Sequence, residues 1–98
     1  MKTNSNLLKS MLMAFESSKS TTTDITELKS QGFDYSDRNI HFHLQVLHDK
    51  GLIERQDGED GVGYSEDSHG TGLWSAVRLR LTTDGHEFLE TIRESEPN

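Results

Sequence analysis

The stretch Ser36-Asp37-Arg38-Asn39-Ile40-His41-Phe42-His43-Leu44-Gln45-Val46-Leu47-His48-Asp49-Lys50-Gly51-Leu52-Ile53 decides the fold. Ile40, Leu44 and Leu47 recur at i, i+4 and i+7, the spacing of one buried helix face. Ser36 suits the N-cap, Asp37 suits the positive first turn, and Gly51 suits the left-handed position just past the end. The spacing therefore predicts a helix over 37–49. Leu52 and Ile53 then open a strand.

Upstream, Asn4 or Ser5 can cap a helix whose stripe is Leu7, Leu8, Met11, Leu12 and Phe15. The polar run 17–22 ends it. Thr23 or Asp24 caps a short second helix with Ile25 and Leu28 inward; Asp24 and Glu27 are spaced like a capping box, and Gly32 closes it. Downstream, 54–72 is a polar, glycine-rich loop. Residues 74–81 read as a second strand, because Val77, Leu79 and Leu81 alternate with Ala76, Arg78 and Arg80. Thr82 or Thr83 caps a last helix carrying Phe88, Leu89 and Ile92. The tail, 94–98, has nothing to bury and is expected to be disordered.

Three helices, a strand, a long loop, a strand and a helix describe an α+β domain, a winged helix-turn-helix, over residues 1–93. Its central helix is expected to pack against Leu12, Phe15, Leu28 and Phe88. Residues 56–72 are expected to form a poorly ordered wing tip that buries almost nothing.

Composition agrees with one small domain. Leu, Ile, Val and Phe make up about 22% of the 98 residues, just above the roughly 20% below which charged chains stay disordered. Within 54–72 the apolar side chains are Val62 and Tyr64 alone. Cysteine is absent, which excludes disulfides and thiolate chemistry. No apolar run approaches a membrane span and the start lacks a signal-peptide pattern, so a cytosolic protein is expected. The net charge of −7 is local: residues 54–67 carry Glu54, Asp57, Glu59, Asp60, Glu66 and Asp67 against Arg55. Nonspecific phosphate binding needs a positive surface, and this chain has no net one.

Two segments carry a resemblance. Phe42 to Ile53, with the pattern aromatic-His-Leu-x-x-Leu-x-x-x-Gly-Leu-Ile, resembles a segment of an uncharacterised family of small winged-helix proteins found largely in phages, prophages and bacterial genomes. Residues 80–93, reading Arg-Leu-Thr-Thr-Asp-Gly-His-Glu-Phe-Leu-Glu-Thr-Ile-Arg, are similar to that family's closing segment; Thr83 stands where the family commonly has Trp. The resemblance implies the winged-helix fold and a bacterial host cell. The family has no settled activity.

The residues offer two functional surfaces. The helix face away from Ile40, Leu44 and Leu47 presents Arg38, His41, Gln45 and His48, the position from which a helix-turn-helix reads the major groove. Arg pairs with guanine and Gln with adenine, and Arg78 and Arg80 would add wing contacts. A merely solvated face needs nothing beyond polarity, and Asp37 and Asp49 repel phosphate. The second surface is the acidic wing: Asp57, Glu59, Asp60, Glu66 and Asp67, with Tyr64 and Trp74 as aromatic anchors or as a cap on the core.

No metal or cofactor is expected. His41 and His43 point to different helix faces, while His41 and His48 stand about 10 Å apart along the axis. His43 reads as a hydrogen-bonded structural histidine, and His86 as packing or capping the last helix. The run from Asp57 to Gly63 fails as a calcium loop because Gly61 takes the fifth position and no glutamate takes the twelfth. It fails as a phosphate loop because it is acidic and no helix follows. Neither a nucleophile elbow nor an enclosing pocket is indicated, so no enzyme is expected.

The leading expectation is a non-enzymatic module that binds a protein with a basic surface, its acidic wing imitating phosphates, as would suit a phage-borne modulator of a host nucleic-acid-handling or defence complex. The alternative is a sequence-specific DNA-binding regulator. Short first helices in this fold class often dimerise, so a homodimer is a further expectation.

Overall fold

Asn4 starts the first helix, α1 (Ser5–Glu16), by accepting the N–H groups of Asn6 and Leu7 on its side-chain oxygen at 3.0 and 3.2 Å. The computed structural model describes residues 2–18 and 20–95 of the chain. Asp24 caps α2 (Ile25–Ser30) through Thr26 and Glu27, both at 3.0 Å. Glu27 does not reach back to complete a capping box. Its carboxylate turns to the Thr23 hydroxyl at 2.7 Å and to Arg78.

The cap of α3 (Arg38–Asp49) is Asp37, which accepts Asn39 N–H at 2.8 Å. Ser36 was the expected cap, but its N–H and hydroxyl both go to Asp34, at 2.9 and 2.7 Å, and build the turn before the helix. At the far end Gly51 adopts φ +73° and donates to His48 carbonyl at 2.9 Å, while Leu52 donates to Leu47 at 3.0 Å. That double bond closes the helix and aims the chain straight into β1 (Ile53–Arg55).

The remaining strands are β2 (Tyr64–Glu66), β3 (Gly72–Trp74) and β4 (Leu79–Leu81), followed by α4 (Thr83–Ser95). β1 pairs antiparallel with β4, Ile53 opposite Leu81 and Arg55 opposite Leu79. Thr23 joins the other edge of β4 through a reciprocal pair of bonds with Leu79, at 2.8 and 2.7 Å. β2 and β3 form a second antiparallel hairpin, with Tyr64 opposite Trp74 and Glu66 opposite Gly72.

Three expectations are corrected here. The single strand over 74–81 is two strands parted at 75–78, where Ser75 donates to Gly63 carbonyl and Gln56 donates to Arg78 carbonyl. Residues 56–72 are not a bare loop: they carry β2, and Val62 is only 2% exposed within the main core. The tip is also built, since Asp67 accepts Gly70 N–H on its carbonyl and the N–H groups of His69 and Thr71 on its side chain, at 2.9–3.0 Å. The last helix runs on through Ser95; the rest of the expected tail, 96–98, lies outside the described residues.

One core joins all layers. Met11, Leu12, Leu28, Leu44, Leu47, Ile53, Leu79 and Leu89 are fully buried, with Phe15 and Ile40 close behind. Phe88, expected inside, is 40% exposed; Gly85 and Leu89 face inward instead. His43 is fully buried among these apolar residues. Its Nδ1 donates to Asn39 carbonyl at 2.7 Å and its Nε2 accepts Asn4 N–H at 2.9 Å, which fixes the neutral Nδ1–H tautomer and ties the start of α1 to α3.

Candidate functional site

The outward face of α3 meets the second hairpin. His41 lies half-buried with its ring against Tyr64 at 3.8 Å between centroids, and Trp74 stands edge-on to His41 at 5.4 Å and to Tyr64 at 5.1 Å. Trp74 Nε1 donates to Tyr35 carbonyl at 2.9 Å, so the turn before α3 holds the indole in place. Burial pushes the His41 imidazole below its ordinary value, against the pull of the Glu66 carboxylate.

Farther along α3, Gln45 donates to Asp49 at 2.9 Å. His48 Nε2 accepts Gly61 N–H at 3.3 Å and lies 3.2 Å from Asp60, while its Nδ1 is buried without a hydrogen-bond partner among the described residues. Two of the four residues expected to read DNA are therefore engaged by the hairpin segment. Arg38 remains exposed.

The other expected cations are paired. Arg78 donates to Thr22 Oγ1 at 2.8 Å and to Thr22 carbonyl at 2.6 Å, and forms ion pairs with Asp24 at 3.1 Å and Glu27 at 2.9 Å. Arg80 binds Glu54 through Nε at 2.7 Å. Arg55 grips Asp57 with two bonds, at 3.0 and 2.6 Å, and Arg93 pairs with Glu16. Among the described residues, Arg38 is the arginine left without a carboxylate. Glu59, Asp60, Glu66 and Asp67 all lie exposed on the hairpin segment, Asp60 with its side chain 98% exposed.

The Arg78 clamp has a pH signature. For Asp24, burial raises the carboxyl, but the Thr26 hydroxyl, the N–H groups of Glu27 and Thr26, and Arg78 together hold it below its ordinary value. For Glu27 the Thr23 hydroxyl leads, with Arg78 next, and the result is again lowered. A carboxyl depressed by folding contributes stability above its unfolded pKa, and that contribution is lost as pH falls through the folded one. The thermal midpoint is expected to drop as pH falls below about 4, with a shallower slope in Arg78→Met. Identical acid slopes in the two proteins would show that the clamp does not couple to folding.

Among the described residues, no group of three His, Cys, Asp or Glu side chains is placed to hold a metal ion. None of their helices is long and apolar enough to cross a membrane. A model of a family described as hypothetical proteins, DUF2513, matches residues 2–97. The chain belongs to that family. No curated protein and no solved structure matches it.

In this DUF2513 protein the sequence named Tyr64, Trp74 and His41 separately, on two different surfaces, and the fold brings them into one cluster. Tyr35 was missed. The signal for the hairpin was present in Asp67-Ser68-His69-Gly70, with Asp at the first and Gly at the fourth position of a turn.

Proposed function

We propose that this protein is a non-enzymatic winged-helix module that binds a protein partner through a basic surface on that partner. What supports the winged-helix reading is the arrangement of α2, α3 and the β1–β4 ladder with Thr23 on its edge, the second hairpin standing as the wing. The observation that carries the functional reading is the pairing of charge. Arg55, Arg78 and Arg80 are each paired with a carboxylate, and the acids left without an arginine include Glu59, Glu66 and Asp67, all exposed on the hairpin segment. Phosphate binding needs the opposite. A phage or other mobile element would use such a module to occupy a groove that a host protein keeps for nucleic acid.

Sequence-specific DNA binding is the competing reading, favoured by exposed Arg38 one face-repeat from Gln45. Two variant sets separate them. Asp57→Asn, Glu59→Gln, Asp60→Asn, Glu66→Gln and Asp67→Asn together keep the turn acceptors while removing the charge. They are expected to leave the thermal midpoint nearly unchanged, to slow association with a captured partner about tenfold or more, and to flatten its salt dependence. Arg38→Ala with Gln45→Ala is expected to change little. If that pair abolishes activity while the neutralised wing retains it, and the wild type binds duplex DNA at low salt, the protein is a DNA reader.

A further inference from the structure

A groove of about 810 Å³ runs between α3 and the second hairpin. Tyr64, Trp74, His41, Tyr35 and Phe42 supply its aromatic lining, and Asp37 and Glu66 its carboxylates. The rings are preset. Tyr64 stacks on His41 and lies over Gly72, where a Cβ would run into its hydroxyl and meet ring atoms at 2.8–2.9 Å, and leaves no room there for a side chain. Trp74 is anchored by its N–H bond to Tyr35. A partner group would therefore meet rings whose rotamers are already fixed, which lowers the entropy lost on binding.

The carboxylates differ in how far they are committed. Asp37 caps α3 with one oxygen, whereas Glu66 accepts one long bond, 3.4 Å, from the Tyr64 hydroxyl. That contact places the Glu66 carboxylate beside Tyr64 at the edge of the aromatic floor. Aromatic faces beside a carboxylate suit a planar cation that stacks and donates paired hydrogen bonds, the properties of a guanidinium. One ring of the lining already carries a cation: Lys29 Nζ, outside the groove, stands 5.4 Å from the centroid of Tyr35. Among the described residues of the lining itself, Arg38 stands against two carboxylates, Asp37 and Glu66, with Lys29 outside it at Tyr35. A nucleobase would also stack on these rings, but its phosphates would meet the two carboxylates and the acidic hairpin beyond them.

We infer that this groove seats an arginine side chain of the partner, stacked on the Tyr64–Trp74 floor with its guanidinium on Glu66. The inference rests on the protein-binding reading and names the group recognised. Trp74 is the chain's single tryptophan, so its fluorescence reports the groove directly. The probe is a capped hexa-arginine peptide, titrated into the full chain at low salt, with calorimetry in parallel and with hexa-lysine and a duplex DNA oligonucleotide as separate arms.

Saturable change in Trp74 emission is expected with hexa-arginine, weaker binding with hexa-lysine, and an affinity about tenfold lower in Glu66→Gln, the fold-change of one charge-assisted bond. Glu87→Gln on α4 removes the same charge outside the groove and is expected to matter little. If hexa-arginine binds calorimetrically and depends on Glu59 and Asp60 while Trp74 stays silent, the groove is not the seat and the acidic-wing reading stands. If Glu66→Gln and Glu87→Gln weaken binding equally, the effect is net charge and the inference fails. No hexa-arginine binding by either method overturns the inference, and the association kinetics above then judge the wing reading by themselves. Trp74 responding to duplex DNA but not to hexa-arginine overturns both.

Discussion

Replacing Gly85 with alanine is expected to lower the thermal midpoint by about 15 °C, a loss of roughly 3 kcal/mol in a domain of this size. The position is helical, and alanine is the better helix former by up to about 1 kcal/mol. Propensity alone therefore has the opposite sign. What decides is the space: a Cβ on Gly85 would lie 2.1 Å from the carbonyl oxygen of Leu52 and 3.2 Å from a methyl of Leu81. Backbone cannot yield as a flexible side chain would.

The carbonyl is also held from several sides. Leu52 oxygen accepts Thr82 N–H at 3.0 Å, the Thr82 hydroxyl donates to Gly51 carbonyl at 2.5 Å, and Gly85 N–H donates to that same hydroxyl at 3.0 Å. To admit a methyl, α4 must leave the α3–β1 turn and give up this joint, with each bond worth about 1 kcal/mol. Thermal unfolding of Gly85→Ala beside His86→Ala, an exposed neighbour, tests it. A midpoint that rises in Gly85→Ala would mean that α4 does not rest on the Leu52 carbonyl.

The residues that were legible in the sequence are those whose information is local. The stripe of Ile40, Leu44 and Leu47, the caps at Asn4 and Asp24 and the stops at Gly32 and Gly51 each depend on neighbours within a turn or two. Val62 was not legible as core, because one apolar residue among acids and glycines has no period to place it. Phe88 and Leu89 are adjacent and both apolar, and their own types do not say which faces inward. The spacing of Gly85, Leu89 and Ile92 does, since it continues the face on which a small residue permits close approach.

The candidate site was harder for the same reason. Arg78 read as a free cation because its partners Asp24 and Glu27 stand more than 50 positions away. His41 read as a reading-head residue because nothing nearby in sequence indicates that Tyr64 covers it. Long-range pairing removed most of the cations on which the DNA reading relied. The same pairing took up Asp57 through Arg55 and left Glu59, Glu66 and Asp67 exposed without an arginine.

Leu44→Ala is the second large effect, an expected loss of about 2–5 kcal/mol, against the 5–15 kcal/mol that holds a domain of this kind together. Leucine and alanine differ little as helix formers, so the loss measures packing rather than α3 itself. The upper half of that range is expected because the hole cannot close. Leu44 belongs to one cluster with Met11 and Leu12 of α1, Leu28 of α2, Ile53 of β1 and Leu79 of β4. Those elements are tied independently, by the β1–β4 ladder, the Thr23–Leu79 bridge and the His43 bonds between α1 and α3. Urea unfolding should show a lower midpoint at unchanged slope, the mark of lost stability without a change in the unfolded ensemble. Phe88→Ala completes the test, with an expected loss below about 1 kcal/mol, because a side chain that keeps 40% of its exposure has less burial to lose. A Leu44→Ala loss under about 0.5 kcal/mol beside a large one for Phe88→Ala would mean that the inward faces of α3 and α4 had been exchanged.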